Sequence, residues 1–442
     1  MQTQFAFFEL SLLPFFTHFG TNALMINEEK IEHVKPKLGM LEFVALMAFM
    51  SSIVALSIDA MLPALNQIGS DLGSESPQYT HMIISIFFLG MAFGQLYYGP
   101  YSDTKGRRSA ILSGLIVFAI GTVICLFAQS MEVLLVGRVI QAFGVSGPRI
   151  ASIALIRDQF EGEAMARVMS FIMMVFILVP MVAPAFGKAI LLFATWREIF
   201  ASFLVIGFGL AVWFFSRQPE TLPKSKRKPF SLSDLWQSSK YILSHRAVMM
   251  YTLSMGCIFG SFLAYLSASQ TIFEGFYLQG DMFPLIFATL AFSIGIASFI
   301  NGTLVMSMGM RKLCSLALYG TIVMSTVFVV ATLHYNGLPP LLVTICILFV
   351  NFFFIGILFG NLNSLAMMPL GHVAGLGAAI TGSLSSAFAV PVALFIGSFV
   401  QNDIAPIAIG FLIFSVITLG CFIFAGTGAK QTPVCNTRKI TK

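Results

Sequence analysis

Residues 94–108 read Gly94-Gln95-Leu96-Tyr97-Tyr98-Gly99-Pro100-Tyr101-Ser102-Asp103-Thr104-Lys105-Gly106-Arg107-Arg108. They end one apolar run, which begins near residue 78, and lead into another near residue 109. Each run is long enough to cross the hydrocarbon core of a bilayer as a helix. Between them the glycines allow a sharp turn or a close helix contact. Asp103 falls at the C-terminal end of its helix, where the dipole disfavours an anion. It therefore needs a cation or the N-terminus of another helix. The eleventh apolar run starts on the same side, near His372, and is expected to supply that end. A contact of this kind, made in one conformation and broken in another, is a gate. Gly94, Gly99, Asp103, Gly106, Arg107 and Arg108 are the residues expected to form it. The blander reading is a tight basic turn.

Working outward, such runs recur along the whole chain. They fall at about 41–64, 78–101, 109–127, 133–156, 164–191, 198–216, 246–270, 282–305, 312–333, 338–361, 373–400 and 404–426. Of the 442 residues 57% are hydrophobic and 10% charged. A soluble domain carries about 25% charge, so this chain lacks the polar surface to cover a core in water. Lipid offers no partner to exposed backbone groups, which selects helices. The runs are continuous and do not alternate, which excludes a β-barrel. The expected fold is all-α, with twelve transmembrane helices.

A polar stretch with Pro219, Pro223, Lys224, Lys226, Arg227 and Lys228 separates the sixth run from the seventh. The expected organisation is a six-helix bundle over 40–216, a cytoplasmic linker over 217–245, a second bundle over 246–427 and a tail over 428–442. Residues 1–39 read as an extension outside the bundles, cytoplasmic or disordered. Their apolar part lacks the basic start and cleavage site of a signal peptide. The halves echo each other. Gly106 and Gly309, each beside a basic pair, are 203 residues apart, and Pro184 and Pro391 are 207 apart. Transporters are commonly built from parallel halves of this kind.

The net charge of +6 is a topology signal, not a nucleic-acid footprint. With the N-terminus inside, 21 of the 25 Lys and Arg fall in cytoplasmic segments. That bias predicts both termini in the cytoplasm. The exceptions are Arg138, Arg149, Lys188 and Arg197. The six cysteines have no metal or redox spacing and read as small apolar residues. There is no phosphate-binding loop, zinc site or hydrolytic triad. No metal, cofactor or enzymatic activity is expected, and no ATP hydrolysis by the chain itself.

Asp59 lies about 9 Å from the midplane of the first span, toward the outside. Arg138 lies at a similar depth in the fourth. Membrane-buried charges suggest function, so the two are expected to pair and to carry proton coupling. A static pair that only locks two helices is the alternative. Gln141 is on the face of Arg138. Arg149 is a second deep cation with no acid at its depth. It is a candidate contact for substrate, carbonyls or an anionic group, or else an Arg reaching toward the cytoplasm. Asp59, Gln141, Arg149 and Asn361 are the substrate-binding candidates. Lys188 and Arg197 read as interfacial.

These stretches resemble a known family. Residues 94–108 resemble motif A of the major facilitator superfamily. Arg138-Val139-Ile140-Gln141-Ala142-Phe143-Gly144 is similar to motif B, with Ala142 where Gly is usual. Pro180-Met181-Val182-Ala183-Pro184-Ala185-Phe186-Gly187 is loosely similar to motif C, the antiporter signature, with Lys188 where a second Gly is common. This makes Pro180, Pro184 and Gly187 candidates for an antiporter helix kink. Four further stretches resemble the bicyclomycin-resistance drug exporters: Leu56–Leu65, Leu155–Asp158, Ala194–Phe200 and Gly360–Met367. Many of those relatives carry an Arg where Ile153 stands here. The resemblance implies two pseudo-symmetric six-helix halves rocking about a central site. It also implies proton-driven export of small amphipathic compounds, in a monomer of the bacterial inner membrane. A nutrient symporter and a non-transporting sensor or assembly subunit are the competing readings.

Overall fold

A computed structural model describes residues 38–73, 77–160, 162–227, 232–401 and 403–426. The expected N-terminal extension, apart from its last two residues, and the expected tail lie outside the described residues. All described elements are helical. Twelve long helices account for the twelve apolar runs. They are α1 (Met40–Asp59), α2 (Pro77–Lys105), α3 (Arg107–Leu126), α4 (Met131–Gln159), α5 (Gly162–Leu191) and α6 (Trp196–Arg217). The second six are α7 (Arg246–Gln270), α8 (Phe283–Met308), α9 (Met310–His334), α10 (Leu341–Met367), α11 (Ala374–Gly397) and α12 (Ala405–Gly426). Eleven are long and apolar enough to cross a membrane, and α5 adds the apolar stretch Leu178–Leu191. Large apolar side chains such as Phe193, Val205, Phe208 and Phe299 are exposed on the outer surface, as lipid allows.

The helix ends follow local chemistry. The Ser130 hydroxyl accepts from the Val133 N–H to cap α4, and Thr195 with Glu198 forms a capping box on α6. Gly106 and Gly309 precede α3 and α9 with φ of 102° and 78° and nearly equal ψ. A side chain would be strained at both, so the 203-residue offset marks one backbone turn used twice. Pro184 and Pro391 both lie inside helices, α5 and α11.

The packing repeats as well. In the first half α1 packs on α5, α2 on α4, and α3 on α4 and α6. In the second half α7 packs on α11, α8 on α10, and α9 on α10 and α12. Shifting each helix of the first set by six gives the second set. Between the halves, α2 meets α11 and α5 meets α8, a pair of contacts that the same exchange interconverts. The fold is two pseudo-symmetric six-helix halves.

Two local features differ from expectation. The first span is not one helix to residue 64. It stops at Asp59 and passes through the 3-10 turn Leu62–Ala64 into the short helix Leu65–Asp71. Pro63 removes a backbone donor and disfavours helix in the residue before it. The polar linker also contains a helix, Leu232–Ser244, and its Ile242 is buried in a cluster with Val248, Leu370 and Ile380.

Candidate functional site

Arg138 is fully buried where α4 faces α1 and α2. Its Nε donates to the Ile83 carbonyl at 3.2 Å, and its Nη1 donates to the Ser57 carbonyl at 3.0 Å and to Gln141 Oε1 at 2.7 Å. The guanidinium also lies 4.4 Å from the Phe87 ring centre. Gln141 Nε2 in turn donates to Thr122 Oγ1 at 2.9 Å. Carbonyls, an amide and an aromatic face thus hold the cation between four helices.

Asp59 is buried at the C-terminal end of α1. The expected ion pair is not formed: among the described residues neither hydrogen bond nor salt bridge joins Asp59 to Arg138. The shared depth is present, because the carbonyl that Arg138 reaches belongs to Ser57, two residues away. Depth follows from residue counting, but direction around the helix does not. Arg138 Nη2 has no partner among the described residues.

The motif C region packs beside this point. A Cβ built on Gly187 would collide with the Ala60 carbonyl, so glycine lets α5 close on the turn after Asp59. At motif B, Ala142 is fully buried and the close approach is supplied from the other side. A Cβ on Gly90 of α2 would lie 2.5 Å from the Val139 carbonyl and 3.1 Å from the Ala142 Cβ.

Two of the four substrate candidates are engaged in helix contacts. Gln141 is fully buried in the chain just described. Asn361 is buried, and its Nδ2 donates to Asn301 Oδ1 at 2.5 Å, tying α10 to α8. Arg149 is different. It is half-buried, and among the described residues its Nη1 meets only the Met91 thioether, at 3.2 Å.

At the end of the bundle that carries residues 102–108, here the motif end, Arg107 is the hub. Its Nη1 lies 2.5 Å from Asp103 Oδ1, and its Nε and Nη2 lie 2.8 and 3.3 Å from the two Asp158 oxygens. Asp103 is half exposed and lies across the Gly106 turn from Arg107, so that contact adds only about 0.2–1 kcal/mol. The two-pronged bond to the better-buried Asp158 is the anchor. Asp158 also accepts from Thr221 Oγ1 at 3.0 Å. Glu220 accepts from the Arg107 and Arg108 backbone N–H groups at 2.9 and 3.1 Å, placing a carboxylate at the N-terminus of α3.

The α2–α11 register bears on the other expected partner of Asp103. Ser383 Oγ donates to the Ala92 carbonyl, and a Cβ on Gly99 would meet Ala379 at 3.2 Å. One turn further along both antiparallel helices, Asp103 comes level with the start of α11.

At the opposite end, here the far end, side chains cross directly between the halves. Gln270 Nε2 donates to the Pro63 carbonyl at 2.8 Å, and its Oε1 accepts from the Asn66 N–H at 3.1 Å. His81 Nε2 and Thr271 Oγ1 are 3.1 Å apart, and Ser85 and Ser267 are 3.4 Å apart. Lys188, expected at the interface with water, donates to the Gly280 carbonyl and pairs with Asp281 at 3.1 Å. Just past Gln270 the helix widens into a π turn, Thr271–Phe276. Such turns are frequent at functional sites.

Sequence reasoning noted Asp158 only as part of a resemblance. It missed Glu220, His81 and Thr271. Each works through a partner more than 50 residues away, and one sequence carries no signal of that partner.

The Major Facilitator Superfamily model matches residues 44–380. An uncharacterized MFS-type transporter, YdgK of Bacillus subtilis, is 30% identical over 86% of this chain and 94% of its own. A bicyclomycin resistance protein homolog of Haemophilus influenzae is 28% identical over 82% of this chain and 91% of its own. Among solved structures, the xylose transporter XylE of E. coli, in a partially occluded inward open conformation, aligns with a TM-score of 0.67 at 12% identity. That alignment covers 89% of this chain and 98% of XylE.

Proposed function

This chain belongs to the Major Facilitator Superfamily, and we propose that it exports small amphipathic compounds from a bacterial cytoplasm in exchange for protons. The observation that carries the coupling is Asp59, a buried carboxyl at the depth of Arg138 with no bond to it. A buried charge without a counter-charge is costly. Such a side chain suits a group that takes up and gives back a proton. In this reading Asp59 carries the proton in the present conformation. When it loses the proton, the carboxylate turns to Arg138, whose Nη2 is without a partner among the described residues.

In this reading the motif end faces the cytoplasm and the far end faces outside, which the bias of Lys and Arg supports. The far end is then the closed one here. The similarity to a bicyclomycin resistance homolog supports a drug-like cargo and the inner membrane. A monomer suffices, because both halves of the pathway are in one chain.

The test is a drug-susceptibility panel in an efflux-deficient host, with and without a protonophore, followed by the Asp59→Asn variant. The protein should confer resistance that the protonophore removes. The variant should lose concentrative export while still reaching the membrane. An Asp59→Asn protein that still concentrates a compound against its gradient would sink the coupling scheme.

A further inference from the structure

Arg149 and Arg138 are 11 residues apart on α4, about three turns and 20°. They share the face that looks toward α1 and α2. Arg149 is therefore not a lipid-facing side chain, and among the described residues no carboxylate pairs with it. Its partner, the Met91 thioether at 3.2 Å, is a weak acceptor. A cation so placed in a membrane is costly unless something else meets it.

Three buried hydroxyls lie on the same two helices, α1 and α4. Ser51, Ser52 and Ser152 are each at most 5% exposed, and their oxygens have no partner among the described residues. Ser152 is one turn from Arg149 on the same face. Ser51 and Ser52 are on α1, which runs antiparallel to α4. Two contacts fix that register: Arg138 with the Ser57 carbonyl, and the Phe43 and Phe160 rings at 5.3 Å. Between them, Ser51 and Ser52 fall beside the turn that ends at Arg149.

An aromatic wall adjoins the cation. Phe88 is one turn from Met91, and its ring meets Phe259 of α7 edge-on at 5.0 Å. Phe259 continues to Phe359 of α10 at 6.0 Å. The wall crosses from one half to the other, and Phe259 and Phe359 are only half-buried.

We infer that the transported compound is an aromatic organic anion. Its oxyanion binds Arg149 and the buried serines, and its ring lies against Phe88, Phe259 and Phe359. This rests on the export reading above and narrows its cargo. Guanidinium matches a carboxylate with two parallel bonds, and the serines supply the remaining donors. The anion also meets a cation to which the described residues offer no carboxylate. For each monoanion sent out against one proton taken in, the net charge transfer equals two positive charges moved inward. Membrane potential alone therefore drives the cycle.

The experiment uses purified full-length protein and two matched probes, 1-naphthoate and 1-naphthamide. Binding is measured calorimetrically in detergent, and movement is measured in liposomes under a pH gradient. Wild type should bind the acid at least tenfold more tightly than the amide. Arg149→Gln should erase that ratio, Arg149→Lys should keep part of it, and Ser152→Ala should reduce it a few-fold. Equal affinity for the two probes, no binding of either, or a ratio unchanged in Arg149→Gln overturns the inference. Should Arg149→Gln fail to fold, the wild-type ratio and Ser152→Ala still decide. Arg149-dependent binding of the acid without movement of either probe supports the anion site and removes the export reading. Movement of both probes with no preference for the acid does the reverse.

Discussion

The two ends of the bundle are held by different chemistry. At the motif end, charged side chains dominate, and they tie the first half to itself and to the linker. Arg107 binds Asp103 and Asp158, while Glu220 caps α3. At the far end, mostly neutral groups cross between the halves: Gln270 to residues 63–66, His81 to Thr271 and Ser85 to Ser267. The difference separates what moves from what stays. A neutral hydrogen bond nets about 1 kcal/mol, so a handful can break and reform within a transport cycle. A buried, doubly bonded ion pair is costly to break, so it suits a unit that rotates as one body. Among the described residues the Lys188–Asp281 ion pair joins the halves at the far end, and its Asp281 side chain is fully exposed, which makes that pair weak.

The strongest test of this contrast is at Asp158. Asp158→Asn leaves the buried Arg107 without its main counter-charge. The expected loss is about 3 kcal/mol, read as a lower midpoint of thermal unfolding in detergent and reduced transport. A variant as stable as wild type would show that the motif-end network is ornamental.

Next in size is Gln270→Ala. It removes two bonds that join the halves and shifts the balance between closed and open far ends by about 2 kcal/mol, or roughly 30-fold. Spin labels at the exposed Gln67 and Met282, one on each half, should report a longer distance in more of the population. Stability should change much less than in Asp158→Asn. If the distances stay the same and the protein melts early, the contact holds the fold together and is not a gate.

How much of this was legible in the sequence follows from what each inference needed. A membrane restricts the backbone to helices, so twelve apolar runs gave twelve helices. Gly106 and Gly309 disclosed the repeat because each is needed at a positive φ. Counting residues placed Asp59 and Arg138 at one depth, but rotation around the helix axis sent Arg138 to the Ser57 carbonyl. The same loss of direction made Gln141 and Asn361 look like cavity residues, when both hold helices together. The linker helix was hidden because its polar composition outweighed the few apolar residues, such as Ile242, that dock it. The charged network was only half visible. Asp103 and Arg107 are neighbours in sequence, whereas Asp158 and Glu220 join them from 51 and 113 residues away.

The smallest effect separates the two acids that share Arg107. Asp103→Asn removes a half-exposed partner across the Gly106 turn, and Arg107 keeps both bonds to Asp158. The expected cost in stability is about 0.2–1 kcal/mol, well below that of Asp158→Asn. Transport should nevertheless fall, because the register puts Asp103 level with the N-terminal end of α11, where its charge meets the other half when the bundle rocks. Asp103 would then matter to movement and Asp158 to the resting fold, although one arginine holds both. The measurement is export rate beside unfolding midpoint for the two variants in the same preparation. A drop in rate for Asp103→Asn that tracks its drop in stability would remove the distinction. Unchanged rate and unchanged stability would assign gating at this end to Arg107 and Asp158 alone.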